Sequence, residues 1–477
     1  MKNVYFKRAM CILLVLVLAL GGLWYLDRLL VMKRVDGILT MQDFYAQPEG
    51  SVDVLLVGNS HSGINIDTAT LWDEYGISAY NLWGGVQPLW NSYHFIVEAL
   101  KYQRPKVIVL EVMASISEYE YSEEQNQIKN VAGMRLSENK LEAVKVTAEK
   151  DRWLNLLLGF PLYHGRFDEL EQKDFSQFSW SDGLENFKGS YLLYGVGNYP
   201  AESAEGVTAR REIMDKEREY LDKIIALCDE SDIPLVLLKT PSVEKADVQE
   251  IFNTVSDIAA ENGLPFINMN LMEDELSISA LDYSTDRHMN GTGARKVASW
   301  LGEYLASEYS LSDHRGDAAY ASWDINAHTV NNDYLAAIDA SSDYFEELRR
   351  NGRAVIAILN SPWADNADYI ALEAELASIG VPVASAEAAD AFLIRDSASG
   401  ENAPAAVEGD SVRFELDGEA LTVSFEYQDV VLGGEKLTWF GSNDVTLLIY
   451  DTLTHALVDT VAFTSASRFE LVRPDAA

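Results

Sequence analysis

The segment Val52-Asp53-Val54-Leu55-Leu56-Val57-Gly58-Asn59-Ser60-His61-Ser62 decides the fold. Its apolar run predicts a buried β-strand, and the Gly-Asn-Ser that follows predicts a turn at which the chain leaves the strand. A strand that ends in such a turn presents a serine hydroxyl at the carboxyl edge of a sheet. Open α/β sheets place their reacting groups at this edge, so Ser60 is the first candidate functional residue.

Short apolar runs alternate with helical stretches from residue 52 to about residue 309. The predicted strands are 54–57, 78–82, 107–112, 234–238 and 265–268, and the predicted helices are 64–75, 89–102, 208–230, 248–262 and 291–307. Nearly continuous apolar strands are typical of parallel sheets that are covered on both faces. Strands separated by helices imply right-handed βαβ crossovers, so we expect a three-layer α/β domain at about residues 50–310.

Two regions depart from this pattern. Residues 115–200 are rich in Trp, Tyr, Phe and charge and lack strand periodicity, which predicts an insertion of helices and loops over the carboxyl edge of the sheet. Residues 310–321 are polar and predict a domain boundary. Beyond them, residues 325–477 predict a smaller α+β, β-rich accessory domain, because strands with a period of two follow residue 400.

The composition predicts a globular protein of more than one domain and argues against nucleic acid as a partner. The chain has 477 residues, with 37 basic and 75 acidic residues and a formal net charge of −38, so a phosphate backbone would be repelled. The seven histidines show no metal-ligand spacing, and no cofactor is predicted. Cys11 lies within the N-terminal apolar run, so Cys228 has no partner for an internal disulfide.

Residues 1–34 predict a membrane anchor. Basic residues within the first eight positions precede residues 9–26, which carry no charge. A run of this length is near the lower limit for crossing a hydrocarbon layer of about 30 Å. The leading basic residues favour a cytoplasmic N-terminus, so the chain is expected to be a single-pass protein of the cell membrane with an extracytoplasmic body. A cleaved signal peptide is the alternative, because residues 19–22 (Ala-Leu-Gly-Gly) include small residues.

His288 is the candidate partner of Ser60. It lies in a polar loop directly before the last predicted helix of the α/β domain. A histidine in this place can reach the strand edge and take the serine proton, as the general base of nucleophilic catalysis does. For Ser60 taken alone, the alternative is an ordinary turn after a strand. For His288 taken alone, it is a structural histidine. Their joint placement at the two ends of one α/β domain predicts serine acyl chemistry.

Oxyanion donors and substrate contacts are expected in three places. The backbone N–H of Ser60 is the first donor, and the loop of Gly84 and Gly85 is expected to supply the second, because glycine lets a backbone approach a substrate closely. His164 and Arg166, among aromatic residues of the insertion, are candidates for binding an acceptor or a carboxylate, since arginine recognises anions in a bidentate manner. A surface pair without a binding role is the alternative for these two.

Several of these stretches resemble a known family. Residues 54–62, residues 80–87 and the stretch from His288 to Ala294 resemble the SGNH/GDSL hydrolase superfamily. They are most similar to its membrane-anchored branch, similar to the DltD protein and to the acetyltransferases that modify exported polysaccharides. The likeness covers about residues 52–309. It implies a flavodoxin-like fold with Ser60 as nucleophile, His288 as base and Gly85 or Gly84 as oxyanion donor.

The chain departs from the pattern of this family in two places. The family usually has an aspartate three residues before the histidine, where this chain has a threonine, so Asp286, or alternatively Asp282, is expected to orient the imidazole. The family's Gly-x-Asn block after the third strand is replaced here by residues 111–114 (Glu-Val-Met-Ala). The second oxyanion side chain is therefore expected from Gln87 or Asn91, or is absent.

The chain is thus expected to be an extracytoplasmic serine acyl-transfer enzyme of the SGNH type. The resemblance implies acetyl or similar acyl groups and a cell-surface polysaccharide or teichoic-acid-like polymer. It also implies a membrane acyltransferase as a partner, and the N-terminal apolar segment predicts contact with the lipid bilayer. A carbohydrate esterase is one alternative. The other is a catalytically inactive adaptor that binds envelope polymer, and the two departures keep it open.

Overall fold

The computed structural model describes residues 2–31, 35–158, 164–176, 188–200, 204–360, 367–383, 390–439, 441 and 443–474. The chain divides into two compact units, Met1–Ala327 and His328–Ala477. The first unit is α/β with a five-stranded parallel sheet. The second contains two antiparallel sheets of five strands each.

A long apolar helix, α1 (Lys2–Leu30), begins the first unit. Within it, Val4–Leu30 is long and apolar enough to cross a membrane, and it is the one such helix in the described part of the chain. It is compatible with a single-pass anchor or with a signal sequence. The segment that follows, Val35–Leu39 and α2 (Thr40–Phe44), contributes buried apolar side chains to the folded body.

The parallel sheet has the strand order β2-β1-β3-β4-β5. Its strands are β1 (Val54–Gly58), β2 (Ala79–Trp83), β3 (Val107–Glu111), β4 (Leu235–Lys239) and β5 (Phe266–Asn268). This is a common order of doubly wound sheets, in which ligands bind at the carboxyl ends of the strands where the order reverses. In this sheet that point lies between β1 and β3.

Helices cover both faces of the sheet, because every residue of β1 to β4 is buried. On one face, alternate strand residues such as Leu56 and Val109 pack with Leu71, Val297 and Leu301. The remaining helices of the first unit are α3 (Ser60–Asn65), α4 (Thr68–Tyr75), α5 (Leu89–Ala99), α6 (Glu124–Lys129), α7 (Glu138–Thr147), α8 (Trp153–Leu158), α9 (Gln172–Ser176), α10 (Asp215–Glu230), α11 (Gln249–Glu261) and α12 (Gly291–Glu308).

The predicted α/β class and its parallel sheet are confirmed, with two local corrections. The predicted helix 64–75 is two helices, because Asp67 breaks it and accepts a hydrogen bond from the backbone N–H of Ala69 as the N-cap of α4. The predicted helix 208–230 begins only at Asp215. The described residues of the insertion are helices and loops, and residues 159–163 and 177–187 of it lie outside the described chain.

The described residues of the second unit, with the helix that leads into it, form three α-helices and two sheets. The helices are α13 (Ala321–Ala336), which crosses the boundary between the units, α14 (Ser341–Arg350) and α15 (Ala367–Ser378). One sheet has the order β15-β14-β6-β7-β8 and the other β13-β12-β11-β10-β9. The strands are β6 (Ala354–Leu359), β7 (Asp390–Asp396), β8 (Glu401–Asn402), β9 (Ala406–Glu408), β10 (Ser411–Leu416), β11 (Glu419–Ser424), β12 (Asp429–Leu432), β13 (Glu435–Trp439), β14 (Val445–Asp451) and β15 (Ala456–Phe463).

Strand β6 shows how these layers pack, because its side chains alternate between two cores. Val355 and Leu359 join a cluster with the helix residue Phe345. Ile356, on the opposite face, packs with Phe414 of the second sheet. The unit is therefore a layer of helices, a central sheet and a second sheet, and the expected antiparallel β-structure after residue 400 is confirmed.

Candidate active site

Ser60 lies directly beyond β1, at the first position of α3. The residue before it, Asn59, caps this helix, and its Oδ1 accepts a hydrogen bond from the backbone N–H of His61 at 2.9 Å. Gly58 ends the strand at a point where a Cβ atom would lie 2.8 Å from Cβ of Glu111, so glycine allows β1 and β3 to pack here. The Gly-Asn-Ser sequence thus ends the strand, starts the helix and leaves the Ser60 side chain half-buried at the sheet edge.

His288 reaches Ser60 from 228 positions later in the chain. Its Nε2 lies 2.8 Å from Ser60 Oγ. The loop is held on both sides of the contact: Asn65 Oδ1 accepts a hydrogen bond from the backbone N–H of Met289 at 3.0 Å, and Asn290 caps α12. The two side chains that the sequence singles out therefore meet at the carboxyl edge of the sheet.

The other ring nitrogen of His288 faces a hydroxyl rather than a carboxylate. Thr285 Oγ1 lies 3.5 Å from His288 Nδ1 and accepts the backbone N–H of His288 at 3.0 Å. Asp282 is not brought to the ring, because its Oδ2 accepts hydrogen bonds from Ser279 and from Lys296 Nζ. Asp286 is exposed and makes no hydrogen bond with the ring in the described chain.

The electrostatics of the site keep its imidazoles neutral. Burial and, second, the charge of Arg287 lower the pKa of His288 to about 4, against the opposing charge of Asp286. The ring centroid of His61 lies 5.2 Å from that of His288. Burial and, second, the positive charge of Lys239 hold the pKa of His61 well below its usual value. At neutral pH, His288 is therefore an uncharged base that can accept the Ser60 proton.

A buried layer of charge lies at the ends of β3 and β4. Glu111 and Lys239 are the last residues of these strands, and both are buried. Burial raises the pKa of Glu111 to about 7 and lowers that of Lys239 to about 8, while each charge favours the ionised form of the other. Sequence reasoning missed them. Their signal was a charged residue at the end of an otherwise apolar strand.

A cavity of about 440 Å³ opens beside the two side chains. Its wall includes Ser60 and His288, Gln87 from the turn after β2, Met113 from the end of β3, and Glu217 from α10. The first residues of the insertion, among them Tyr119 and Ser122, also line it. This volume is in the range of about 300–1,000 Å³ that is usual for small-molecule sites.

A Cβ atom added to either of the two glycines expected to supply an oxyanion donor would meet protein side chains. A Cβ atom on Gly84 would clash with Asn130 Oδ1, and one on Gly85 would lie 2.8 Å from Asp36 Oδ2. Glycine at these two positions leaves room for side chains of the insertion and of the segment after α1. The part of this turn that lines the cavity is Val86 to Pro88, so neither glycine is placed on its wall.

Val86 has a backbone φ of 49°, in the left-handed region that β-branched residues avoid. Such strain is concentrated at functional sites, and here it belongs to a residue on the cavity wall. Its neighbour Gln87 also lines the cavity, but Nε2 of Gln87 already donates to Ser92 Oγ at 3.0 Å. Asn91 is not on the wall, since its Nδ2 donates to Thr147 Oγ1 at 2.8 Å.

Arg166, which we expected to bind substrate, instead closes the end of α1. Its Nη1 donates to the carbonyl oxygens of Leu30 and Val31, and its Nη2 pairs with both carboxylate oxygens of Asp174 at 3.0 and 3.1 Å. The C-terminal carbonyls of a helix lack partners within the helix, which explains this use of a guanidinium. His164 begins a short 3-10 helix, and its side chain lies outside the described residues.

A serine hydroxyl hydrogen-bonded to a neutral imidazole beside a cavity is an arrangement suited to nucleophilic catalysis. Among the described residues, no group of three or more His, Cys, Asp or Glu could hold a metal ion. No protein-family model and no curated protein matches the chain. The site is therefore interpreted from its own geometry.

Proposed function

We propose that this protein is a membrane-anchored serine acyl-transfer enzyme, with Ser60 as nucleophile and His288 as general base. One observation carries the proposal: the 2.8 Å contact between Ser60 Oγ and His288 Nε2 on the wall of a cavity of about 440 Å³. The position of the cavity at the reversal of strand order also supports it, since doubly wound sheets bind ligands there.

The proposed reaction has two half-reactions. In the first, Ser60 Oγ attacks the carbonyl carbon of the acyl donor while His288 Nε2 takes the hydroxyl proton. The tetrahedral intermediate collapses as His288 gives this proton to the leaving group, and an ester on Ser60 remains. In the second, a hydroxyl group of the acceptor attacks that ester and gives its proton to His288, which returns it to Ser60 Oγ. The backbone N–H of Ser60 is the proposed oxyanion donor.

The proposed acceptor is a cell-surface polysaccharide or related polymer, and the proposed acyl group is acetyl or similar. The N-terminal helix supports this, because an anchored enzyme acts on material made or displayed at a membrane. With water as the acceptor, the same chemistry makes a carbohydrate esterase. The cavity wall formed by Tyr119 and Ser122 of the insertion favours transfer, since a walled site restricts water.

A catalytically inactive adaptor is the second candidate, and one observation favours it. His288 has Thr285 at its Nδ1 where a carboxylate is usual, and burial lowers its pKa to about 4. An imidazole of this kind is a weak base, because the exposed Asp286 opposes burial only in part and no carboxylate of the described chain bonds to the ring to stabilise the imidazolium that must form. The adaptor would bind envelope polymer without acylating it.

Covalent labelling by a fluorophosphonate probe tests the proposal on the full chain in detergent micelles. Wild-type protein is expected to be labelled, and Ser60→Ala is expected to lose the label completely. The matched control is Ser62→Ala, because Ser62 is buried and its Oγ donates to Asn81 Oδ1 at 2.7 Å. This variant should keep the label. A folded wild-type protein that takes no label would overturn the enzyme and leave the adaptor.

A further inference from the structure

Three large apolar side chains of the insertion are exposed near the C-terminal end of α1. Leu136 is 76% exposed, Phe167 71% and Phe175 52%. Single exposed apolar residues are normal on a protein surface, whereas several large ones in one place mark a surface that binds something apolar. Their position in the fold indicates what they bind.

The two phenylalanines are held beside α1 by an ion pair. Phe167 follows Arg166, whose Nη1 donates to the C-terminal carbonyl oxygens of α1. Phe175 follows Asp174, which pairs with the same guanidinium. The short 3-10 helix that contains Phe167 and the helix α9 that contains Phe175 both contact α1. Both rings therefore lie close to the point where α1 enters the folded body.

Leu136 lies near the same end of α1. It follows Arg135, which is exposed and whose charge acts on Arg28 in the last turn of α1. The third apolar side chain therefore has a basic group next to it. Arginine beside exposed apolar residues is a usual combination on surfaces that bind the polar layer of a membrane.

The position of these residues along α1 corresponds to the interfacial layer of a bilayer. All side chains from Val4 to Leu26 are exposed, a stretch about 34 Å long that can cross a hydrocarbon layer of about 30 Å. It ends with Trp24 and Tyr25, aromatic residues that are typical of the membrane boundary. Leu30, to which Arg166 binds, is about 6 Å farther along, within a polar layer that is about 5–8 Å thick.

We propose that Leu136, Phe167 and Phe175 form a lipid-docking surface that enters the interfacial layer of the bilayer beside α1. The surface is next to a helix that is itself long and apolar enough to cross a membrane, and this continuity favours lipid over a protein partner. Exposed phenylalanine and leucine side chains bind at the boundary of headgroups and acyl chains. The inference goes beyond the proposed function, because it depends on α1 lying in a bilayer and not on the chemistry of Ser60.

Fluorescence quenching on the full chain in lipid nanodiscs tests this surface. Cys11 and Cys228 are replaced by alanine, and a bimane label is attached through Phe167→Cys, Phe175→Cys or Leu136→Cys. The nanodiscs contain lipid with a nitroxide at the headgroup, near the upper end of the acyl chain or near its terminal methyl group. At all three sites the two shallow nitroxides should lower the fluorescence by about twofold or more, and the deep one should lower it less, because the interfacial layer lies outside the hydrocarbon.

Two further label sites are the controls for depth. Leu16→Cys, in the middle of α1, should be quenched most strongly by the nitroxide near the terminal methyl group. Glu261→Cys should not be quenched, because Glu261 is exposed at the amino edge of the sheet, directly before β5. Strand β5 is at the opposite side of the sheet from β2, where Thr40 of the segment after α1 packs against Trp83.

Paired substitutions test the phenylalanine side chains themselves. Phe167→Gln combined with Phe175→Gln should weaken the quenching of a label at Leu136→Cys by about twofold, because polar side chains do not hold the surface in the interfacial layer. Leu271→Gln combined with Leu281→Gln is the matched control, since it removes two exposed leucines that follow β5. It should leave the quenching unchanged. Circular dichroism of each variant checks that the fold is retained.

Each outcome decides for or against the docking surface. Absence of quenching at Phe167→Cys and Phe175→Cys, with Leu16→Cys quenched, overturns it. Absence of quenching at Leu16→Cys also overturns it, since α1 would not lie in the bilayer. Unchanged quenching in the paired phenylalanine variant would show that α1 alone determines the depth, and would overturn the role of these side chains. None of these results bears on the fluorophosphonate labelling of Ser60, so the docking surface and the proposed chemistry can fail independently.

Discussion

Two imidazoles of this chain have opposite surroundings. In the second unit, His328 Nδ1 lies 3.1 and 3.2 Å from the two carboxylate oxygens of Asp451, yet its ring makes no hydrogen bond with a hydroxyl or thiol in the described chain. In the first unit, His288 contacts the hydroxyl of Ser60 but has Thr285 behind it. One histidine has the orienting carboxylate without a nucleophile, and the other has the nucleophile without the carboxylate.

The carboxylate of the second unit is embedded in a stabilising network. Burial raises the pKa of Asp451, but hydrogen bonds from His328 and Asn332 and the charge of Arg353 outweigh burial, so its pKa lies well below the usual value. A permanently charged aspartate that is held by three side chains is a structural element. A histidine–carboxylate pair alone is therefore weak evidence for a catalytic site, whereas the histidine–serine pair on a cavity supports the proposed one even without the carboxylate.

Replacing each of these two histidines in turn is expected to give the largest difference between them. His288→Gln should lower the rate of fluorophosphonate labelling by about 10²- to 10⁴-fold, since the serine loses its general base. His328→Gln is the control and should leave that rate unchanged. Equal losses in both variants would contradict the assignment. Thermal unfolding of each purified variant checks that the fold is retained.

Supplying the missing carboxylate behind His288 should raise the rate at which Ser60 is labelled. Thr285→Asp places an acceptor near His288 Nδ1, where Thr285 Oγ1 now lies at 3.5 Å, and the new side chain can still cap the backbone N–H of His288. A carboxylate there fixes the tautomer and stabilises the imidazolium, so the labelling rate should rise by about tenfold. Thr285→Asn has the same shape without the charge and should not raise it. A gain in the Asn variant equal to that in the Asp variant would contradict this explanation.

The smallest expected effect concerns the pH dependence of labelling. Because burial lowers the pKa of His288 to about 4, the imidazole remains a neutral base until the pH falls to that value. The labelling rate should therefore be nearly constant between about pH 8 and about pH 5 and should reach half its maximum near the pKa. A midpoint near 6.5, the ordinary value for histidine, would show that the ring is not desolvated. Circular dichroism at each pH separates titration from acid unfolding.

Much of the fold could be predicted because its strands are almost wholly apolar. The apolar runs of β1 and β3 lie in a sheet that is covered on both faces. Such strands can be recognised from their own residues, without knowledge of distant parts of the chain. Ser60 and His288 could be paired in advance for a related reason. In a doubly wound sheet the carboxyl ends of all strands lie at one edge, so residues at the beginning and end of the domain converge there.

What could not be predicted depends on contacts between distant parts of the chain. The sequence alone indicates an anion-binding role for Arg166. Only the fold shows that the end of α1 lies beside it and accepts its hydrogen bonds. Glu217 lies in a helix of mostly charged residues, and only the fold shows that its side chain, unlike the other charged ones of this helix, is buried. The neighbours of Gly84 could not be predicted either, because the sequence shows the glycine but not that a Cβ atom there would clash with Asn130.

The capping of the C-terminal end of α1 by Arg166 also affects how the α/β unit is attached to this helix. Only residues 32–34 lie between the guanidinium-capped end of α1 and the segment Val35–Leu39, whose Asp36 pairs with Lys129 at 2.8 Å. With that helix in a bilayer, these contacts would hold the α/β unit close to the membrane surface. The proposed polymer substrate would then have to approach the lipid surface to reach Ser60.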